Sequence, residues 1–173
     1  VTSTAETPKD QKTTGFEVEE IDHIAIAVHD LDAAIHAATT LLGAKLLWRN
    51  PPKERAINDG AVLELGGMLI VFEHPLTDRG IFAEFVKRRG EGIHHIGVSV
   101  TNLDQAMKDA DVAGARLLNP SLDNPIRREV LVHPRSGIGV LWQMVEWNPS
   151  VRGDRQRRHD ALRNGEFVVP GLS

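Results

Sequence analysis

The stretch IDHIAIAVHDLDAAIHAA beginning at Ile21 and the stretch IHHIGVSVTNLDQAMKDA beginning at Ile93 both read I-x-H-I-x-[IV]-x-V-x-[DN]-L-D-x-A. The register between them is 72 residues, the separation of His23 from His95. Downstream, LLGAKLL (Leu41 to Leu47) answers VAGARLL (Val112 to Leu118) with one residue lost. Self-similarity of that length and order marks an internal duplication, and a duplicated supersecondary unit governs the reading of everything around it.

Within the first copy, Ile21 to Val28 alternates with period two, the signature of a strand whose two faces meet different surroundings. Asp30 suits the N-cap of a helix running to about Leu42, and Gly43 suits its stop. Leu31, Ile35, Ala38 and Leu42 recur at helical spacing. Leu46 and Leu47, Ala61 to Leu65, and Met68 to Phe72 supply three further strands. The second copy repeats the plan, with a strand at Ile93 to Val100 and a helix capped by Asn102. Further strands follow near Ala115 to Leu118, Arg128 to Val132 and Val140 to Val145. Each copy is thus a βαβββ unit. Gly80 to Arg89 reads as a short linking helix between them, and VRGDRQRRHDALRNG after Trp147 reads as a basic tail or surface helix.

The alternation also sorts the side chains. Ile24, Ile26 and Val28, like Ile96, Val98 and Val100, share a face suited to packing on a helix. The opposite face carries His23, Ala25 and Ala27 in one copy, and His95, Gly97 and Ser99 in the other. A face filled for stability does not set small residues beside an imidazole, so this face reads as the wall of a ligand site. Two histidines at equivalent points of a duplicated unit point to one divalent metal ion held between the copies. The chain has no cysteine. That excludes disulfides, thiolate ligands and cysteine nucleophiles, and leaves His, carboxylate, amide and water as ligands.

IDHIAIAV with DLDAA, GEGIHHIGVSV and HPRSGIGVLWQMVE resemble the methylmalonyl-CoA epimerases of the vicinal oxygen chelate superfamily, from about Glu20 to Trp147. The resemblance implies an α+β fold in which two tandem βαβββ modules form a cupped, roughly eight-stranded mixed sheet with helices outside. It implies one divalent metal ion (Co, Mn, Ni, Zn or Fe) on His23, His95 and two further ligands from the last strand of each module. Those last two positions depart from the family pattern. Gln143 replaces a Glu, and Val71, again 72 residues earlier, stands where a Gln or Glu would. Glu73 shares the face of Val71 about 6.6 Å further along the strand and is the substitute ligand, while His74 points the other way. The family's catalytic Glu after the first helix is matched by Glu54. Gln143 takes the place of the second acid–base group, although an amide has no basicity near neutral pH. Arg128 and Ser136 match residues around the acyl and CoA groups. Among neighbouring residues, His94 reads as packing.

The expected organisation is a polar arm over 1–18, a vicinal-oxygen-chelate domain over 19–148 (modules about 20–76 and 92–148, linker about 80–90), and a basic tail over 149–173. Arg152, Arg155, Arg157 and Arg158 in that tail are expected to face solvent, the alternative being a CoA phosphate. The function implied is proton transfer at C2 of an acyl-CoA or similar small carboxylated substrate, by an isomerase. The alternatives are another metal-dependent reaction on this fold (lyase, isomerase or iron dioxygenase) and a non-catalytic small-molecule-binding protein. A formal net charge of −4 and a pI near 6.1 argue against a nucleic-acid partner. No apolar run reaches the roughly 20 residues of a membrane span. The first fifteen residues lack the apolar core of a secretory signal. A cytoplasmic homodimer is therefore expected.

Overall fold

The structure is a computed structural model and describes residues 14–49 and 56–164. The first module comprises β1 (Val18–Ala27), α1 (Leu31–Leu41), β2 (Lys45–Arg49), β3 (Asn58–Leu65) and β4 (Met68–Pro75). A linking helix α2 (Ile81–Arg89) leads to the second module, β5 (Gly92–Val100), α3 (Leu103–Val112), β6 (Leu117–Ser121), β7 (Arg127–Val132) and β8 (Trp142–Trp147). A last helix, α4, spans Arg155–Arg163. The module helices start where the duplicated sequence places them. Asp30 and Asn102 are extended, and each side chain accepts a bond from the amide three residues on, Ala33 and Gln105, at 2.9 Å. Gly43 (φ 68°) and Gly114 (φ 70°) follow the helix ends in the left-handed conformation that only glycine adopts without strain.

All eight strands form one mixed sheet in the order β2-β3-β4-β1-β5-β8-β7-β6. Each module pairs its first strand in parallel with its last, and the modules join where β1 meets β5 antiparallel. The order reads the same from either edge, so the sequence duplication is a duplication in space. On the outer face, α1 packs Leu31 and Ala38 over Ala61, Leu63 and Phe72, and α3 packs Leu103 and Ala106 over Val100, Val130 and Met144. This is the helix-covered side that the branched residues of β1 and β5 mark out.

The inner face is only partly open. Ala25, Leu47, Val62, Leu69, Val71, Val145 and Trp147 form an apolar cluster there, joined by Val151 from beyond β8. The linking helix also lies on this side, with Phe82 and Val86 against Ala27. Helices therefore cover the outside through α1 and α3 only.

Residues 149–164 do not behave as a solvated tail, and the rest of the expected tail lies outside the described residues. Arg158, 2% exposed, pairs with Glu20 and lies over the Trp147 ring, 5.2 Å from its centroid. Arg155 pairs with Glu20 at 2.5 Å and Arg152 with Glu19 at 3.0 Å. Of the four tail arginines only Arg157 faces solvent. The physical reason is the pair of acidic residues opening β1, which gives the basic segment a fixed partner. The domain thus extends past the boundary expected at 148. No helix among the described residues is long and apolar enough to cross a membrane.

Arg155 still pairs with Glu20 when Arg158 is removed, so what is lost is a buried guanidinium packed on Trp147 and its own bond to Glu20. Arg158→Ala is expected to lower unfolding stability by about 1–3 kcal/mol, read as a reduced urea midpoint. Arg157→Ala, on the exposed side of the same helix, should change it by less than about 0.5 kcal/mol.

Candidate active site

The join between modules sets the geometry. In the β1–β5 ladder His23 faces Gly97 and Ala25 faces His95, so the two histidines are diagonal neighbours on the inner face. Their Nε2 atoms are 3.1 Å apart and both rings are buried. The small residues beside them make room for the ring from the other module. A Cβ added at Gly97 would stand 2.4 Å from His23 Cε1. The alternation Ala-x-Ala and Gly-x-Ser, read from sequence as a ligand wall, is first of all clearance for two imidazoles.

Regular alternation would send the residues preceding each histidine to the outer face. Instead, besides a register shift between Val18 and Glu20 at its start, the ladder is bulged twice beside the histidines. One bulge lies between Ile21 and His23 on β1 and the other between Ala25 and Ile26, where β5 skips His94. The extra residues are Asp22 and His94, themselves 72 positions apart. A bulge redirects the residue it inserts, and each of these side chains reaches the Nδ1 of its own neighbour. Asp22 Oδ1 lies 2.7 Å from His23 Nδ1, and His94 Nδ1 lies 2.9 Å from His95 Nδ1. Asp22 Oδ2 also accepts the indole N–H of Trp147 at 2.6 Å. Burial pushes the Asp22 carboxyl up. The bond and charge of His23, the Arg127 guanidinium and the Trp147 bond outweigh it and hold Asp22 below its ordinary value.

Hydrogen-bond logic then restricts the tautomers. An ionised Asp22 only accepts, so a neutral His23 carries its proton on Nδ1 and turns the Nε2 lone pair toward His95. Burial, then the charges of His23, His94 and Arg127, push His95 well below the usual imidazole range. Burial lowers His94 to about 4. One arrangement is a one-way chain, His94 to His95 to His23 to Asp22. Shifting the His95 proton to Nδ1 instead presents two Nε2 lone pairs to a shared cation, with both rings oriented by their outer nitrogens.

A cavity of about 180 Å³ opens beside the histidines. Its wall includes Val71, Glu73, Gln143, Arg127, Glu129 and, from α2, Phe82. Gln143 donates its amide to Glu129 Oε1 at 3.1 Å, which leaves its own Oε1 buried and unpartnered. Glu73 Oε2 is likewise unpartnered. Burial, then repulsion from Asp59, pushes the Glu73 carboxyl well above its ordinary range, against a smaller lowering by Arg127. Among the described residues no three His, Cys, Asp or Glu side chains form a metal-holding group. His23, His95 and the unpartnered Gln143 oxygen line the same cavity. Glu73, expected as the substitute ligand, lines the cavity on the face of Val71 but does not complete such a group. An iron dioxygenase needing Glu73 as its carboxylate ligand gains no support from this arrangement.

Other expected site residues fall elsewhere. Arg128 points to the outer face and pairs with Asp104 of α3 at 2.5 Å and with Glu146 at 3.0 Å. Its neighbour Arg127 is the one that enters the cavity, because Val130 and Val132 pack toward α3 and parity turns 127, 129 and 131 inward. Ser136 is exposed, its Oγ accepting from the Arg116 amide at 3.1 Å, a loop-closing role. Glu54 lies outside the described residues. His74 points away, its Nδ1 3.3 Å from the Val28 carbonyl. His94 was expected on the packing side of β5; the bulge turns it instead toward α2, between Phe82 and Phe85, where it orients His95. Asp22, Arg127 and Glu129 were not singled out from sequence. The parity of β7 was the available signal for the latter two, and the shared 72-residue offset for Asp22 and His94.

Comparison with known proteins agrees with this architecture. Residues 22–128 match the family model of the Glyoxalase/Bleomycin resistance protein/Dioxygenase superfamily. Human mitochondrial methylmalonyl-CoA epimerase is 28% identical over 151 residues, covering 83% of this chain and 84% of that protein. The crystal structure of methylmalonyl-CoA epimerase from Mycobacterium tuberculosis superposes with a TM-score of 0.67 at 30% identity, covering 78% of this chain and 91% of that one. A variant of the Streptomyces coelicolor methylmalonyl-CoA epimerase, in complex with 2-nitronate-propionyl-CoA, gives a TM-score of 0.65 at 25% identity, covering 76% and 99%.

Two outcomes follow from the geometry. Gly97→Ala is expected to cost about 1–3 kcal/mol in urea unfolding, because the new methyl displaces the His23 ring. In a His23→Ala background the same change should cost less than about 0.5 kcal/mol, the coupling a double-mutant cycle measures. Glu73 gives a pH signature. Its folded-state pKa is raised, so the folded chain holds a proton that the unfolded chain releases above its ordinary value, and stability falls as pH rises through that window. Glu73→Gln should therefore raise the melting temperature by about 2–5 °C at pH 8 and leave it unchanged near pH 4.

Proposed function

The chain belongs to the glyoxalase/bleomycin resistance protein/dioxygenase superfamily and is methylmalonyl-CoA epimerase-like, and from that premise we propose that it is an epimerase moving the C2 proton of a carboxylated acyl-CoA thioester. The observation that carries this reading is the facing pair of buried Nε2 atoms, 3.1 Å apart at the rim of an enclosed cavity, each ring held from behind by its own bulged neighbour.

His23, His95 and Gln143 Oε1 would hold one divalent cation, the spacing of the two nitrogens suiting adjacent ligands of a single ion. When bound, that cation supplies Lewis acidity toward the oxygens of the substrate, which makes the C2 hydrogen more acidic. Asp22 and His94 orient the two imidazoles, and Glu129 orients Gln143 so that its oxygen rather than its nitrogen faces inward. Phe82 stands over His94 and beside His95, excluding water from that side. Gln143 cannot move a proton, so its part in the reaction is positional. Glu73, its carboxyl pushed toward the protonated form by burial and its Oε2 unpartnered in the cavity wall, is suited to exchanging a proton with C2. Glu54, the match to the family's catalytic Glu, is the partner this reading assigns to the opposite face of C2.

Protein purified without a histidine tag is expected to contain a divalent metal by elemental analysis. In deuterated water it should replace the C2 hydrogen of methylmalonyl-CoA with deuterium, followed by mass spectrometry. His95→Ala should lose the metal and slow exchange by about 10²-fold or more. If wild-type protein binds the thioester and the C2 hydrogen is fully retained, the epimerase reading falls.

A further inference from the structure

The cavity contains one full positive charge of its own. Arg127 is the only Lys or Arg in the wall of that cavity among the described residues, and it is 3% exposed. Its surroundings are costly for a cation: Val71 and Leu131 line the same space, and the apolar cluster of Val62, Leu69, Val145 and Trp147 lies on the same face. A guanidinium placed there loses several kcal/mol of hydration, and a well-packed apolar side chain is usually as stable or better. Fold stability is therefore a poor reason for an arginine at this point of β7.

The arginine is held but not saturated. One terminal N–H donates to Glu129 Oε2 at 2.5 Å, and the guanidinium carbon sits 5.4 Å from the Trp147 ring centroid. The other Glu129 oxygen is occupied by the Gln143 amide, so this carboxylate is fastened to β8. The Nε–H of Arg127 is buried with no partner. A guanidinium offers five donors in a fixed fork matched to a carboxylate. In the same cavity, Glu73 and Gln143 each leave one oxygen unpartnered. Arg127 also acts electrostatically on Asp22, Glu73 and His95, so its charge is felt across the cavity.

We propose that Arg127, fixed by Glu129 and Trp147, is the carboxylate anchor of this site and selects malonyl-type thioesters over acyl-CoAs that lack the second carboxylate. This inference rests on the acyl-CoA reading above and adds the residue that decides substrate class. It also accounts for Arg128 facing outward: the arginine needed in the cavity is one position earlier.

The test is equilibrium binding, with no turnover involved. Dimethylmalonyl-CoA has no C2 hydrogen to exchange, and isobutyryl-CoA has the same branched skeleton without the carboxylate. Calorimetry on the purified protein is expected to show dimethylmalonyl-CoA binding at least about tenfold tighter. Arg127→Met should abolish that preference, and Arg127→Lys, which keeps charge but not the fork, should restore part of it. Because Arg127→Met strands Glu129, the double variant Arg127→Met with Glu129→Leu removes both charges and serves as the folded control. Preference surviving in that double variant, or equal binding of both thioesters by wild type, overturns the anchor role alone. Binding of neither thioester by wild type overturns the acyl-CoA reading together with it.

Discussion

The antiparallel pairing of β1 with β5 is the constraint on which the site depends. It places His23 opposite Gly97 and Ala25 opposite His95, so a local two-fold relation falls between the two histidines. Neither imidazole could occupy its place if the residue across the ladder were large. One hydrogen-bonded register thus decides three things together: which side chains meet, how closely, and what must be small. The two bulges obey the same symmetry. Asp22 and His94 are inserted at equivalent points, and each turns from the outer face to brace the histidine that follows it.

Symmetry ends at the ligands beyond that pair. Val71 lies beside Ala25 on β4, and Gln143 lies beside Gly97 on β8, equivalent positions with unequal chemistry. The first module contributes an apolar wall and a buried carboxyl, Glu73. The second contributes an amide, a carboxylate and a guanidinium, linked in series from Gln143 through Glu129 to Arg127. Trp147 connects this ionic side to the histidines, because its indole N–H reaches Asp22 while its ring lies under both Arg127 and Arg158.

Much of the fold was legible from residues alone because the duplication supplied every element twice. Caps at Asp30 and Asn102, stops at Gly43 and Gly114, and the two-sided strands at Ile21 and Ile93 reinforce one another, and strand parity correctly put Val71, Glu73 and Gln143 on the histidine face. What was not legible has physical causes. Bulges break period two, so Asp22 could not be placed from alternation. Arg128 matches a family position and Arg127 does not, so the resemblance pointed to the outward-facing neighbour of the arginine that lines the cavity. The C-terminal segment reads as solvated because its composition is basic, and only the three-dimensional position of Glu19 and Glu20 reveals its partners.

The unlike walls have an orientational consequence. A strictly two-fold pocket would make the two orientations of a guest related by that axis equal in energy. Here an apolar wall bearing Glu73 confronts one bearing Gln143, Glu129 and Arg127, so those orientations are no longer equivalent. Which way round a guest sits is accordingly set by how far the halves have diverged, in the few positions where copy and original no longer agree.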